Sequence, residues 1–324
     1  MPAATVTVTA TSGERSISKK LQVSQEAGKE KVVDLSAGGT SNCYLVTAAG
    51  SYSFNATVRG NGATTEGLDA PAAVAGTSAE IVWQCSPNLI TDVTLADGRI
   101  GFKIAEPGNA LIAVRDGEIL WSWHIWYPKT EVASLSSKMG YEVMNMNLGA
   151  MDNKTGDVES YGLLYQWGRK DPLYPSNGMG NTTKIWYDKE GIPSTANPMK
   201  GTFSAGNDCI KNCILNPNLM HNRYNGDYTY YNLWSADNKT TSANDNPVNK
   251  TIYDPCSVGF KLPASNAFTG FTTTGESVSS STQVNGTWSS SEKGWYFYTN
   301  SEKTQSIFFP ALGYRSYSTM RPGS

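Results

Sequence analysis

Charge is scarce in this chain. Asp, Glu, Lys and Arg make up 17% of its 324 residues, against about a quarter in an average globular protein. The 26 basic and 28 acidic side chains leave a net charge of −2. No long-range field therefore attracts a polyanion, which argues against general nucleic-acid binding. No apolar run approaches the roughly 18 residues of a membrane-spanning helix. Histidine is limited to His124 and His221, and no Gly-x-Ser-x-Gly elbow accompanies either, so Ser–His–Asp chemistry finds no support. The five cysteines are odd in number and thinly spread, unlike a disulfide scaffold. Cys209-x-x-x-Cys213 has no second Cys or His pair to complete a zinc site. Gly60-Asn-Gly62 and Gly178-Met-Gly180 lack the Lys-Ser/Thr of a phosphate-binding loop. The start, Met1-Pro-Ala-Ala4, shows no charged region followed by an apolar one. It reads either as a mature region whose export signal has been removed or as a protein that never had one.

Polar uncharged residues fill the space that charge leaves, a texture typical of secreted β-proteins. The length suits about two domains, and composition changes after Tyr127-Pro128. Residues 1–128 read as β, with strands over Thr5–Ala10, Lys31–Leu35, Cys43–Thr47, Tyr52–Val58, Ala79–Trp83, Ile90–Leu95, Arg99–Ile104, Asn109–Arg115 and Glu118–Trp126. Asp97-Gly98 and Asp116-Gly117 suit two-residue hairpins, where Gly accepts positive φ. Many short strands at close spacing predict an antiparallel sandwich. In the run Trp121-Ser-Trp-His-Ile-Trp126, strand alternation puts Trp121, Trp123 and Ile125 on one face and Ser122, His124 and Trp126 on the other. The aromatic face reads either as core or as a sugar-stacking platform.

Residues 129–324 follow neither period for long. Ser176–Thr202 and Asn232–Thr251 read as extended loops, and Asn207–Met220 as a short helix with Ile210, Cys213 and Ile214 on one side. Such long irregular segments are uncommon unless functional. Asp152, Asp157, Glu159, Asp171, Asp237 and Asp245 could supply a catalytic carboxylate pair, although their polar, turn-like settings suit solvated loop acids. Asp237-Asn238 and Asn244-Asp245-Asn246 offer hard oxygen ligands, making Asp237 and Asp245 weak calcium candidates; the same Asx residues also cap turns.

Four stretches taken together resemble a known family: Met146-Asn-Leu-Gly-Ala150, Tyr161-Gly-Leu-Leu-Tyr-Gln-Trp-Gly-Arg-Lys-Asp-Pro172, Tyr253-Asp-Pro-Cys-Ser-Val-Gly-Phe-Lys-Leu-Pro263 and Phe308-Phe-Pro-Ala-Leu-Gly-Tyr-Arg315. Their order is similar to the C-type-lectin-like domain of Bacteroidetes surface proteins, the Fibrobacter succinogenes major paralogous domain type. Ser41-Asn-Cys-Tyr-Leu-Val46, Tyr52-Ser-Phe54 and Gly108-Asn-Ala-Leu-Ile-Ala-Val114 resemble the β-sandwich preceding it in fimbrillin-like proteins. The resemblance implies a mainly β chain with some α: a sandwich over 1–128, then an α+β lectin-like domain with long loops over 129–324. That domain would lack the further strand with which the family usually continues after Tyr314-Arg315. Trp167 and Gly168 are then expected to close a buried strand-turn, and Phe260 and Leu262 to enter the core. The sugar–calcium signatures Glu-Pro-Asn, Gln-Pro-Asp and Trp-Asn-Asp are absent.

The expected function is non-enzymatic adhesion or recognition at the cell surface, as a fimbrial tip component or an outer-membrane lipoprotein. Its partners would be other pilus subunits and a host or microbial glycan or protein. The loop aromatics Trp186, Tyr187, Tyr228, Tyr230, Tyr231 and Trp234 are the candidate contact residues, because Tyr and Trp give large contact area at low entropic cost; each could equally anchor its own loop. The competing readings are a structural fimbrial subunit exchanging the Thr5–Ala10 strand, and an enzyme of the formylglycine-generating or glycosidase type.

Overall fold

The computed structural model describes residues 4–12, 15–23, 31–65, 67–68, 72–136, 142–173, 185–194, 200–201, 206–221, 230–240, 242, 244–275, 278, 280–315 and 320–321. Strand accounts for 34% of the chain and helix for 9%. The first ten strands are β1 (Ala4–Ser12), β2 (Arg15–Val23), β3 (Val32–Asp34), β4 (Cys43–Leu45), β5 (Gly50–Asn55), β6 (Ser78–Gln84), β7 (Ile90–Ala96), β8 (Arg99–Ile104), β9 (Gly108–Asp116) and β10 (Glu118–Tyr127). All nine expected strands are present, and β2, whose Lys19-Lys20 pair interrupts the apolar alternation, is an addition. After β10 come β11 (Ser134–Ser136), β12 (Glu142–Met144), β13 (Trp186–Tyr187), β14 (Pro193–Ser194), β15 (Lys200–Gly201), helix α1 (Gly206–Leu215), β16 (Met220–His221), β17 (Gly286–Ser289), β18 (Gly294–Tyr298), β19 (Ser306–Pro310), β20 (Tyr314–Arg315) and β21 (Met320–Arg321).

Two sheets organise the molecule, in the orders β14-β13-β6-β9-β10-β4 and β3-β5-β8-β7. Their turns follow local chemistry. Ala96 pairs with Arg99 across Asp97-Gly98, and both turn residues have positive φ, 51° and 70°, the type I′ geometry that matches strand twist. The pairing is not antiparallel throughout: β3 runs parallel to β5 and β4 parallel to β10. The two sheets share one apolar cluster that includes Phe54, Ile100 and Phe102 from the smaller sheet and Ile112, Trp121, Trp123 and Ile125 from the larger. Here the aromatic alternation of β10 is core. Burying each of these indoles contributes about 5 kcal/mol of transfer free energy.

The opposite face of the larger sheet is buried too. Trp126 packs with Cys43, Met146 and Ala150, and its indole N–H donates to the Ala150 carbonyl at 2.7 Å. Trp83 and Leu111 pack with Leu163, Leu173, Trp186 and Met220. The first cluster also contains Ile210, Leu233, Ile252 and Tyr253. The expected division at 128/129 thus falls at the end of β10, while apolar clusters draw residues from both sides of it. The later segment packs on the larger sheet, to which it also adds β13 and β14 at one edge.

Part of the expected loop Ser176–Thr202 is strand: β13 and β14 pair with each other, and β13 joins β6 at Tyr187–Gln84. The expected helix Asn207–Met220 forms only in its first part, as α1 ending at Leu215, and Met220 belongs to strand β16; Cys209, Ile210 and Cys213 are buried and Ile214 packs on the main core. Near the end of the chain, β17, β18 and β19 form a separate sheet. One face carries an aromatic ladder in which Phe271 stacks on Phe297 at 4.1 Å and Trp288 lies 5.7 Å from Trp295. The five cysteines form no disulfide, and burial raises the thiol pKa values of Cys43, Cys213 and Cys256.

His124, on the buried second face of β10, is 1% exposed. Its Nε2 donates to Asn109 Oδ1 at 2.8 Å, so Nε2 carries a proton. Nδ1 is buried with no hydrogen-bond partner among the described residues. Burial pulls the His124 pKa down to about 3. The folded state therefore binds this proton less readily than the unfolded state. The resulting stability is full above the unfolded pKa of about 6.5 and is lost as pH falls towards 3, at about 1.4 kcal/mol per pH unit. Urea unfolding of wild type and His124→Gln between pH 7 and pH 4 checks this: the difference between the two proteins should shrink as the pH falls.

Candidate functional site

The segment Tyr161–Leu173 folds back on itself. Leu164 and Leu173 exchange backbone hydrogen bonds of 3.1 and 2.7 Å, closing an irregular loop. At its tip, Arg169 N–H donates to Gln166 O at 3.0 Å, and Gly168 has φ 80°. This makes Gln166–Arg169 a β-turn with Gly at the position where type II geometry requires positive φ. Trp167, at the preceding turn position, projects outward and is 40% exposed. The expectation of a buried Trp167 is therefore corrected: the glycine reverses the chain at the surface and leaves the indole outside. Its ring centroid lies 6.3 Å from that of Trp234, at 59°, and Trp234 is fixed by donating its indole N–H to Arg169 O at 3.2 Å.

Behind this pair the next three residues turn inward, all between 1% and 3% exposed. The Arg169 guanidinium donates to the carbonyls of Leu219, Pro217 and Asn216 just beyond the C-terminus of α1, where carbonyls lacking helical partners and the helix dipole favour a cation. Lys170 Nζ contacts both Asp171 carboxylate oxygens at 2.7 and 2.8 Å, and donates to Ser122 Oγ at 2.6 Å. Ser122 Oγ in turn donates to Asp171 at 2.8 Å. The ammonium also sits 4.5 Å from the Trp121 ring centroid, an attractive cation–π contact. Burial lowers the Lys170 pKa below the usual lysine range, against the upward pull of Asp171. With side-chain exposures of 2% and 3%, the pair is an internal brace rather than a reaction centre open to substrate.

The candidate contact residues take different places. Trp186 is 8% exposed and packs in a core cluster; its indole anchors the β13–β14 hairpin and is turned away from solvent, so the loop-anchoring alternative describes it. Tyr187 is half-buried on the same hairpin. Tyr228 lies outside the described residues. Tyr230, Tyr231 and Trp234 are half-buried, and Tyr230 and Trp234 touch the main core. Trp234 is thus brought beside Trp167, whereas Trp186 belongs to a different cluster.

Asp171, grouped by sequence with solvated loop acids, is buried and paired. Asp157 caps the 3-10 turn Val158–Tyr161 by accepting from Glu159 N–H, and Asp152 accepts from Thr130, Asn153 and Lys154, which hold its pKa below the usual range. Asp237 and Asp245 are exposed. Their neighbours Asn238 and Asn244 accept from the backbone N–H groups of Thr240 and Asn246, the Asx-turn use of these side chains. Among the described residues no group of three His, Cys, Asp or Glu converges as a metal set. Phe260 and Leu262 are half-buried in irregular backbone. That segment is organised by Asp254, which accepts from Lys250 Nζ and from the backbone N–H groups of Cys256 and Leu262.

From sequence Trp167 read as buried scaffold, and Arg169 and Lys170 drew no separate reading, although the structure makes them the braces of this turn. Only Gly168 signalled the turn, and nothing local signalled that consecutive charges turn inward. Removing the Asp171 carboxylate leaves the Lys170 ammonium buried without its counter-ion, and Asp171→Ala should cost about 3–5 kcal/mol in chemical denaturation.

Comparison with protein-family models, with curated proteins and with solved structures gives no significant match.

Proposed function

We propose that this chain is a non-enzymatic recognition protein of the cell surface, a fimbrial tip component that binds a glycan or protein ligand through aromatic side chains on irregular segments. In this reading the two facing sheets are the sandwich, and the later segment is a C-type-lectin-like frame packed on it. Pilus subunits are its structural partners and the outer surface its location. Trp167 is the observation that carries the proposal. An exposed indole is held beside Trp234 on a turn whose base is fixed by a buried ion pair and by hydrogen bonds to the end of α1. Such an arrangement presents a large contact surface without a further ordering cost on binding.

The test is a glycan and host-protein array probed with wild type and Trp167→Ala. The exposed position leaves the core intact, so the unfolding midpoint should not move, while captured ligands should lose about tenfold or more in affinity. An array without signal for wild type, or equal binding by the variant, rejects the reading.

A structural subunit assembling by strand exchange is the second reading. One observation favours it: β1 and β2 pair along nine residues and form a sheet of their own, and a two-stranded hairpin by itself is marginal in water. Deleting residues 1–12 should then block incorporation into a polymer while the remaining domain still unfolds cooperatively; normal assembly of the truncated chain rejects it.

A further inference from the structure

A cleft of about 330 Å³ opens where the β8–β9 connection meets the irregular segment 149–163. Its volume lies at the lower end of small-ligand pockets. Leu163 is buried at its floor and Met151 and Pro107 are half-buried along it. Gly149 and Gly162 let the chain segments of the wall approach closely, with φ of 81° and 75°. A Cβ on Gly149 would stand 2.5 Å from Leu163, and one on Gly162 would stand 2.8 Å from the Leu148 carbonyl.

The polar lining is unevenly satisfied. Asn109 spends its amide N–H groups on the Gly149 carbonyl and the Met151 sulfur, and its oxygen faces His124. Lys129 donates to both oxygens of Glu159 at 2.7 and 2.8 Å. On the other rim Ser86 Oγ donates to Glu106 Oε1 at 2.7 Å, and Glu106 Oε2 has no hydrogen-bond partner among the described residues. Glu106 and Glu159 against Lys129 give the rim one net negative charge. Its open hydrogen-bonding capacity is an acceptor, and its floor is apolar.

We infer that this cleft binds a short aliphatic primary amine, with the alkyl chain on the Leu163–Met151 floor and the ammonium at the Glu106 rim. An ammonium-to-carboxylate hydrogen bond is among the stronger protein contacts, and an alkyl stem lies readily along apolar surface while its charged head stays in water. A free alkylamine and the lysine side chain of a partner protein share this chemistry. The inference does not depend on the Trp167 surface.

Titration calorimetry of the full chain with butylamine and with Nα-acetyl-lysine methylamide tests it. At least one probe should saturate. Its affinity should fall about tenfold in Glu106→Gln and vanish in Glu106→Lys, whose own ammonium occupies the rim, and n-butanol should not bind. Tighter binding of the lysine derivative assigns the cleft to a partner's side chain, and tighter binding of butylamine assigns it to a free amine. Failure of both amines to saturate, equal affinity in Glu106→Gln, or equal binding of n-butanol overturns the inference. Because Glu106 is exposed, unchanged unfolding midpoints will separate these outcomes from loss of fold.

Discussion

Strand β10 is buried on both faces, and the rest of the molecule answers to that constraint. One face presents Trp121, Trp123 and Ile125 to the smaller sheet. On the other, Ser122 and Trp126 hydrogen-bond to Asp171 and Ala150 of the later half, and His124 faces Asn109 of the neighbouring strand β9. An apolar face needs only complementary shape. A polar face removed from water needs a partner for each donor and acceptor, because an unmade buried hydrogen bond costs about 1–3 kcal/mol. Ala150, Lys170 and Asp171 supply those of Trp126 and Ser122, and Asn109 supplies that of His124. Asn42 ties the two sides together by accepting from the Trp121 indole and donating to the carbonyls of Ile252 and Asp254.

The outward-facing Trp167 follows from the same constraint. Lys170 and Asp171 complete the Ser122 pairing, and Arg169 holds the turn against the end of α1. With three consecutive residues fixed inside, the turn before them has to face solvent. Buried ion pairs are weak sources of net stability, since desolvation offsets their attraction. Here the pair fixes position: it sets where the loop sits on the sheet and therefore where the indole points. Trp234, held by the backbone of the same segment, completes the aromatic pair.

The first half was legible because its elements are specified locally. Alternation, β-branched residues and Asp-Gly pairs give strand and turn within a few residues, and Asp97-Gly98 forms the turn its chemistry requires. The short helix was legible for the same reason, from Ile210, Cys213 and Ile214 at helical spacing. Trp186 shows where local reading stops. An indole in a polar, aperiodic stretch looks like a loop contact, yet its segment adds two strands to the larger sheet and the side chain becomes core. Asp171 shows the converse: an acid in a turn-like segment looks solvated, and only the distant Ser122 and the adjacent Lys170 make its burial tolerable.

By itself the sequence determined a mainly β chain of low charge, its early strands, their hairpin turns and a single amphipathic helix. Each of these depends on propensities and periodicities spanning a few neighbouring residues. The tertiary structure alone decided which aromatics face solvent, which charges are buried, and that the later half packs on the larger sheet and extends it by two strands. Those outcomes depend on hydrogen bonds and apolar contacts between residues far apart in the chain, such as Ser122 with Asp171, 49 positions away, and Asn42 with Asp254, 212 positions away. No local pattern encodes them, because a side chain's burial is set by what the rest of the chain places against it.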